Sequence, residues 1–300
     1  MKILISGASG FIGSALADKL VSSGHRVIRL TRRPVTRGQD AISWNPRTGH
    51  LDPADLEGVE AVIHLAGEGI GDHRWTEAHK ARVLDSRVRG TTLLAETIAG
   101  LTDPPKVMLS QSGAHYYGFE SGDRPLTEDA PPGGGFLARV VEQWETATEP
   151  AERGGIRVVR TRSGVVLSPD GGALKKQLLP FKLGIGGTIG SGRQYFSWIS
   201  LRDELEAMEF LLERDDISGP VNLVAPNALT NADFTRALGV ALGRPTFMPV
   251  PSLAIKVLFG NEMSKEMIFG GQRLVPKRLV DAGFAFRDPE VEGALRSMLS

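Results

Sequence analysis

The feature that most constrains this chain lies within its first 24 residues. Gly7-Ala8-Ser9-Gly10-Phe11-Ile12-Gly13 follows the short apolar run Ile3-Leu4-Ile5 directly. It is followed in turn by Ile12, Ala15, Leu16 and Leu20, apolar at helical spacing, until Gly24. This order reads as strand, tight turn, helix. Glycines in such a turn allow the chain to reverse sharply, admit a ligand's backbone-hugging approach and let helix and strand pack closely. The turn also leaves the positive end of the helix dipole facing outward.

The same alternation continues. Val27-Ile28-Arg29-Leu30, Ala61-Val62-Ile63-His64-Leu65, Lys106-Val107-Met108-Leu109 and Arg157-Val158-Val159-Arg160 read as strands. Between them lie helical stretches, one with apolar Val83, Leu93, Leu94 and Ile98 and one around Val140–Thr148. Short apolar strands separated by helices form a parallel sheet covered on both faces, and right-handed crossovers make it doubly wound. The expected fold is therefore α/β, a Rossmann-type doubly wound parallel sheet over residues 1–165, completed by a strand near 219–225. Residues 166–300 read as a smaller, mostly helical substrate-side or capping region. Within it, Thr230 or Asn231 caps a helix bearing Phe234, Leu238, Ala241 and Leu242, which are core positions.

In this strand–turn–helix context the glycine loop predicts a dinucleotide site. Composition removes competitors. The 300 residues carry 35 basic and 35 acidic side chains, so no electrostatic footprint for nucleic acid or anionic lipid exists. The absence of cysteine excludes disulfides, thiolate metal sites and a cysteine nucleophile. His73 and His79 lack metal-ligand spacing, so no metal is expected. No run approaches the length of a membrane span, and glycines interrupt the N-terminal apolar stretch, so a cytoplasmic protein without membrane partners is expected.

The Gly-x-x-Gly-x-x-Gly spacing resembles that of the extended short-chain dehydrogenase/reductases. His64-Leu65-Ala66-Gly67 is similar to their third-strand motif beside the adenosine, and Ser86-Arg87-Val88-Arg89-Gly90-Thr91 to a helix motif along the cofactor groove, with Arg87 where asparagine is usual. Tyr116-Tyr117-Gly118, Gly190-Ser191-Gly192-Arg193-Gln194 and Gly271-Gln272-Arg273 narrow the resemblance to atypical epimerase-family proteins with an extra C-terminal domain of unknown function, here about residues 248–296. That segment either covers the cofactor cleft or forms a homodimer surface. The cofactor residues so implied are Gly7, Ser9, Gly10, Phe11, Ile12, Gly13, Leu65, Ala66, Gly67 and Arg87.

NAD-selective folds carry Asp or Glu at the end of the second strand, for the ribose 2′-hydroxyl. This chain has Thr31-Arg32-Arg33 there and no carboxylate before Asp40. A guanidinium binds a 2′-phosphate where a carboxylate repels it, so NADP(H) is the expected cofactor.

The resemblance implies a Tyr-x-x-x-Lys pair for proton transfer, and the chain departs from it. The corresponding stretch offers Phe136 and Val140 or, one residue on, Leu137 and Val141. None of the three tyrosines stands four before a lysine, and Gly113 occupies the usual Ser/Thr place. Tyr117 and Ser112 remain as catalytic candidates, with Tyr116 and Arg193 as substrate contacts; Tyr116 and Tyr117 as mere pocket lining is the alternative. Two functions follow: an NADP(H)-dependent oxidoreductase or epimerase acting on a small polar substrate, or an NADP(H)-binding sensor or interaction protein without turnover.

Overall fold

The structure is a computed structural model that describes residues 1–36, 38–247 and 249–300; the start of the expected C-terminal segment, Met248, lies outside the described residues. The chain begins with β1 (Lys2–Ser6), α1 (Phe11–Ser22), β2 (Arg26–Thr31), β3 (Ala41–Ser43), α2 (Pro53–Leu56), β4 (Ala61–His64), α3 (Glu77–Ala99) and β5 (Val107–Gly113). Then come β6 (Glu120–Leu126), α4 (Phe136–Thr146), α5 (Glu149–Arg153), β7 (Arg157–Ser163), β8 (Val165–Ser168), α6 (Gly172–Lys182), β9 (Tyr195–Phe196) and β10 (Trp198–Ser200). The remainder is α7 (Leu201–Glu213), β11 (Gly219–Leu223), β12 (Leu229–Thr230), α8 (Asn231–Leu242), α9 (Ser252–Phe259), α10 (Asn261–Ser264), β13 (Gly271–Leu274), α11 (Lys277–Asp281) and α12 (Val291–Leu299).

Seven strands form the main sheet in the order β11-β7-β5-β4-β1-β2-β3. From β1 the order runs outward in both directions, with β1 pairing parallel to β2 on one side and to β4 on the other. The reversal between β1 and β4 is the switch point at which α/β sheets of this kind open a crevice beyond their strands' carboxyl ends. The α/β doubly wound architecture is thus present, with β11 as the expected late strand. The short edge strand β3 was not legible as a strand, because only Ile42 of its three residues is buried and apolar.

The chain divides into two compact units that interleave in sequence, of about equal size. The first comprises residues 1–112, 140–161 and 205–221, and the second 113–139, 162–204 and 222–300. The departure from a single division at 165 begins at residue 113, where the chain leaves the first unit. In the first unit, Leu4, Ile28, Val62, Met108 and Val158 of the sheet pack with Leu94 and Ile98 of α3 and Ala151 of α5. Each such Val, Leu, Ile or Met side chain contributes about 1.5–3 kcal/mol of burial free energy.

The second unit has its own core of Leu167, Trp198, Phe234, Leu238 and Leu295. Its α8 starts where Thr230 and Asp233 form a reciprocal capping box and stops at Gly243. Strand β13 pairs in parallel with β6. Just before β13, Glu266 accepts the backbone N–H groups of Phe136 at 2.8 Å and Leu137 at 2.9 Å, capping α4 with a carboxylate 129 residues distant in sequence.

Candidate functional site

The first unit contains a cavity of about 730 Å³, walled by the β1–α1 turn, the end of β2, the turn after β3, the segment after β4 and one face of α3. The β1–α1 turn contributes Gly7, Ala8, Ser9 and Gly10. Gly7 has φ +71°, and a Cβ there would lie 2.8 Å from the Leu65 carbonyl carbon. A Cβ on Gly13 would lie 2.2 Å from the Gly7 oxygen. Phe11, Ile12 and Gly13 therefore form the first helical turn behind the loop, and the cavity wall itself stops at Gly10. No side chain caps α1 and no acidic residue stands in its first turn, so its leading N–H groups have no side-chain acceptor and their dipole is uncompensated.

The opposite wall is Leu65, Ala66 and Gly67. Two buried groups fix it. Ser6 Oγ accepts the N–H groups of Leu65 at 3.2 Å and Ala66 at 3.3 Å, which directs its own proton to His64 Nδ1 at 2.6 Å. Burial pushes the His64 pKa down to about 4, so the ring is the neutral acceptor this geometry requires. Arg87, expected along the cofactor groove, instead supports the wall from below. It is 7% exposed, donates to the carbonyls of Glu68 at 2.9 Å and Val83 at 3.1 Å, and lies over the Trp144 ring. Burial lowers its pKa to about 10, which keeps it charged at neutral pH. Its distance from the cavity wall follows from the neighbouring small residue: its guanidinium carbon sits 3.2 Å from where a Gly67 Cβ would be.

Five arginines line the cavity: Arg29, Arg32, Arg47, Arg82 and Arg89. Arg82 is paired with Glu68 at 3.0 Å, which holds that carboxyl below its ordinary range, and Arg89 lies 3.8 Å from Asp85. Among the described residues, the guanidinium groups of Arg29, Arg32 and Arg47 make no hydrogen bond or ion pair. Asp40, the first carboxylate after β2, is engaged by Arg26 at 2.8 Å. Thr31 and Arg32 are on the cavity wall; Arg33 is exposed and off it.

Arg29 and Arg47 escaped the sequence reading. The signals were an arginine inside the otherwise apolar Val27–Leu30 run and the turn Asn45-Pro46-Arg47-Thr48-Gly49 after Trp44. Arg82, Ser86 and Arg89 follow one helix face at the i, i+4, i+7 spacing, a pattern equally visible in the sequence.

The catalytic candidates are not among the residues that line this cavity. Ser112, 4% exposed, donates to Glu145 Oε1 at 2.5 Å within the first unit. Tyr117 belongs to the second unit, where its hydroxyl donates to Asn222 Oδ1 at 2.7 Å and accepts from Arg162 at 2.9 Å. Burial raises its pKa to about 12. A hydroxyl so held already has one acceptor and one donor partner within the second unit. Tyr116 is half-buried, with the Arg162 guanidinium 3.4 Å from its ring centre. Arg193 is exposed on its glycine-rich loop, while Asp203 accepts the Arg287 and Asp288 N–H groups and Glu204 the Ser163 hydroxyl. At the positions where Tyr and Lys are absent, Phe136, Leu137, Val140 and Val141 are all buried. Among the described residues no acidic or histidine cluster has metal-binding geometry, and no helix is long and apolar enough to cross a membrane.

Comparison with known proteins agrees with this architecture. Epimerase family protein Mb2239 of Mycobacterium bovis is 43% identical over 293 residues, covering 98% of this chain and 96% of that protein. Epimerase family protein SDR39U1 of Homo sapiens is 38% identical over 304 residues, covering 100% of each. The crystal structure of human epimerase family protein SDR39U1 (isoform2) with NADPH matches with a TM-score of 0.89 at 36% identity, covering 100% of this chain and 99% of that one. Residues 250–298 match a domain of unknown function (DUF1731). Residues 3–223 match the NAD dependent epimerase/dehydratase family, and the chain belongs to that family.

Proposed function

We propose that this chain binds NADP(H) in the first unit's cavity and acts as an oxidoreductase or epimerase on a small polar substrate, without a Tyr–Lys proton pair. The observation that carries the cofactor reading is the end of β2, where Thr31 and Arg32 line the cavity in the place of a ribose-binding carboxylate. The glycine cradle fits the group, since the Cβ positions of Gly7 and Gly13 are filled by backbone and only glycine leaves the loop intact. Gly7–Gly10 and the uncapped start of α1 would hold the pyrophosphate, Leu65–Gly67 the adenosine side, and Arg32 the 2′-phosphate. Bound there, the nicotinamide supplies a hydride donor or acceptor. The human relative crystallised with NADPH supports the same choice. The cytoplasm is the proposed setting, on the composition argued above.

One observation favours the second reading, a non-catalytic NADP(H)-binding sensor or interaction protein. The residues that stand at the proton-transfer positions, Phe136, Leu137, Val140 and Val141, are apolar and buried, and the Tyr117 hydroxyl is committed to Asn222 and Arg162. Thermal unfolding with NADPH and with NADH tests the cofactor: greater stabilisation by NADPH supports the reading and equal stabilisation overturns it. Cofactor oxidation across a panel of carbonyl compounds then separates the two functions, because the sensor reading permits binding and no turnover.

A further inference from the structure

The chain's zero net charge, from which no membrane partner is expected, conceals an uneven distribution of acidic residues. Residues 171–202 hold five basic side chains and no acidic one, and residues 234–261 hold three basic and no acidic one. Both stretches belong to the second unit. Of the 11 large apolar side chains exposed among the described residues, eight lie in these same two stretches. Single exposed apolar residues are ordinary on a protein surface, whereas their concentration where acids are missing marks a surface with a partner.

Local structure brings these residues outward. α6 buries Leu174, Leu178 and Phe181, at i, i+4 and i+7, in one cluster with Phe234, Ala237 and Leu238 of α8. Its outward positions are then Lys175, Leu179 and Lys182 at the same spacing, with Leu183 one turn beyond Leu179. Leu179 and Leu183 are each 65% exposed. In α9 only Ile255 is buried, while Leu253, Lys256 and Val257 are exposed. The two elements are tied together, because the Val250 N–H just before α9 donates to the Thr188 carbonyl after α6 at 2.9 Å. Among the described residues Lys182, Arg193, Arg244 and Lys256 form no ion pair, so the local charge is not cancelled within the fold.

The pattern selects the partner. Basic side chains call for an anionic one. Lysine and leucine alternate on one outward face of α6 rather than separating into an apolar centre and a charged rim, as they do at protein interfaces. Interleaving of this kind suits a lipid headgroup layer, where leucines enter the acyl boundary and lysine stems extend to the phosphates. A second copy of the chain would set the same lysines against one another.

We propose that the outward faces of α6 and α9, with Ile185 and Phe247 beside them, form a docking surface for an anionic phospholipid membrane. The attachment is peripheral, since no helix among the described residues is long and apolar enough to cross a bilayer. Each basic residue near such a surface raises partitioning about fivefold.

The test is sedimentation of the intact chain with vesicles of phosphatidylcholine alone and of phosphatidylcholine mixed with phosphatidylglycerol. The wild-type chain is expected to partition at least about tenfold more strongly onto the anionic vesicles, with the excess falling as salt rises. Lys182→Glu combined with Lys256→Glu removes most of that excess. Leu179→Asn combined with Leu253→Asn lowers binding about tenfold with every lysine in place. Val280→Asn, at an exposed apolar position outside the two stretches, binds as the wild type does. All five side chains are exposed, and thermal melts without lipid check that each variant folds. No partitioning, equal partitioning onto both vesicles, or partitioning that the four surface substitutions leave unaltered overturns the proposal. Two other results overturn it by giving the surface a different occupant. Self-association without lipid, abolished by Leu253→Asn in sedimentation velocity, assigns it to a second copy. Binding of soluble polyglutamate as tight as that of anionic vesicles, and indifferent to the leucine substitutions, assigns it to an acidic protein.

Discussion

The first unit's cavity and the second unit's Tyr117 network use the same kinds of group in opposite ways. Around Tyr117, polar groups are spent on one another: the hydroxyl bonds Asn222 and Arg162, Asn222 reaches the Val275 carbonyl at 3.0 Å, and its N–H donates to Glu128 at 3.1 Å. Around the cavity, the guanidinium groups of Arg29 and Arg32 make no hydrogen bond or ion pair among the described residues, and the start of α1 has no side-chain cap. A polar group satisfied within the fold stabilises it, whereas an array held open by rigid elements is preorganised for a ligand. The difference is between groups left open within a cavity and groups engaged with one another.

The largest effect that sharpens this contrast comes from the glycine cradle. Gly13→Ala would place a methyl 2.2 Å from the Gly7 oxygen, so the loop must move. NADPH affinity is expected to fall by at least about a hundredfold, near 3 kcal/mol, by calorimetry. Undiminished binding would show that the cavity does not depend on this turn.

Titration separates the units next. In the first, His64 is held neutral with its pKa down to about 4, from 6.5; the unfolded chain binds the extra proton, so stability is lost as pH falls from 6.5 toward 4. The cost is about 3 kcal/mol below that range. In the second, burial raises Glu204 from 4.5 to about 8, so the folded state holds the proton and stability is lost as pH rises between those values. Denaturant melts across pH 4–9 should therefore show that Glu204→Gln removes the loss of stability above pH 6.5 and, by removing the opposing slope between 4.5 and 6.5, steepens the acid loss that His64 causes there. A variant with an unaltered alkaline limb would remove Glu204 from the account.

Glu266→Ala is expected to cost about 2–3 kcal/mol, because two backbone donors at the start of α4 lose a charged acceptor, while the NADPH-to-NADH preference stays as in the wild type. A changed preference would assign the carboxylate a role at the cofactor. The smallest effect belongs to Tyr117→Phe, about 1–2 kcal/mol from the loss of one hydroxyl between two partners, with NADPH affinity unaltered. A turnover defect at unchanged stability would restore Tyr117 as a reactive group.

Much of this was legible from residues alone. Gly7, Gly10 and Gly13 between an apolar run and a helical one specified the turn, and the alternation beyond it specified the parallel sheet. The Thr230 cap could be read because capping is local. What could not be read depended on long-range geometry. Arg87 looked like a groove residue, but Gly67 above it leaves room for its guanidinium to tuck under the wall and hydrogen-bond two carbonyls. Tyr117 and Asn222 are 105 residues apart, and Glu266 meets Phe136 across 130, so no spacing rule announces either bond. Arg47 reached the cavity through a turn after a three-residue strand too short to show periodicity.

The central question is whether the cavity selects for a phosphate that NADH lacks. Titration of the wild-type chain with NADPH and NADH at low and high salt measures this directly. Tighter binding of NADPH by about tenfold or more at low salt, with the gap narrowing as salt screens the exposed guanidinium groups, is the predicted result. Equal affinities at low salt would contradict it.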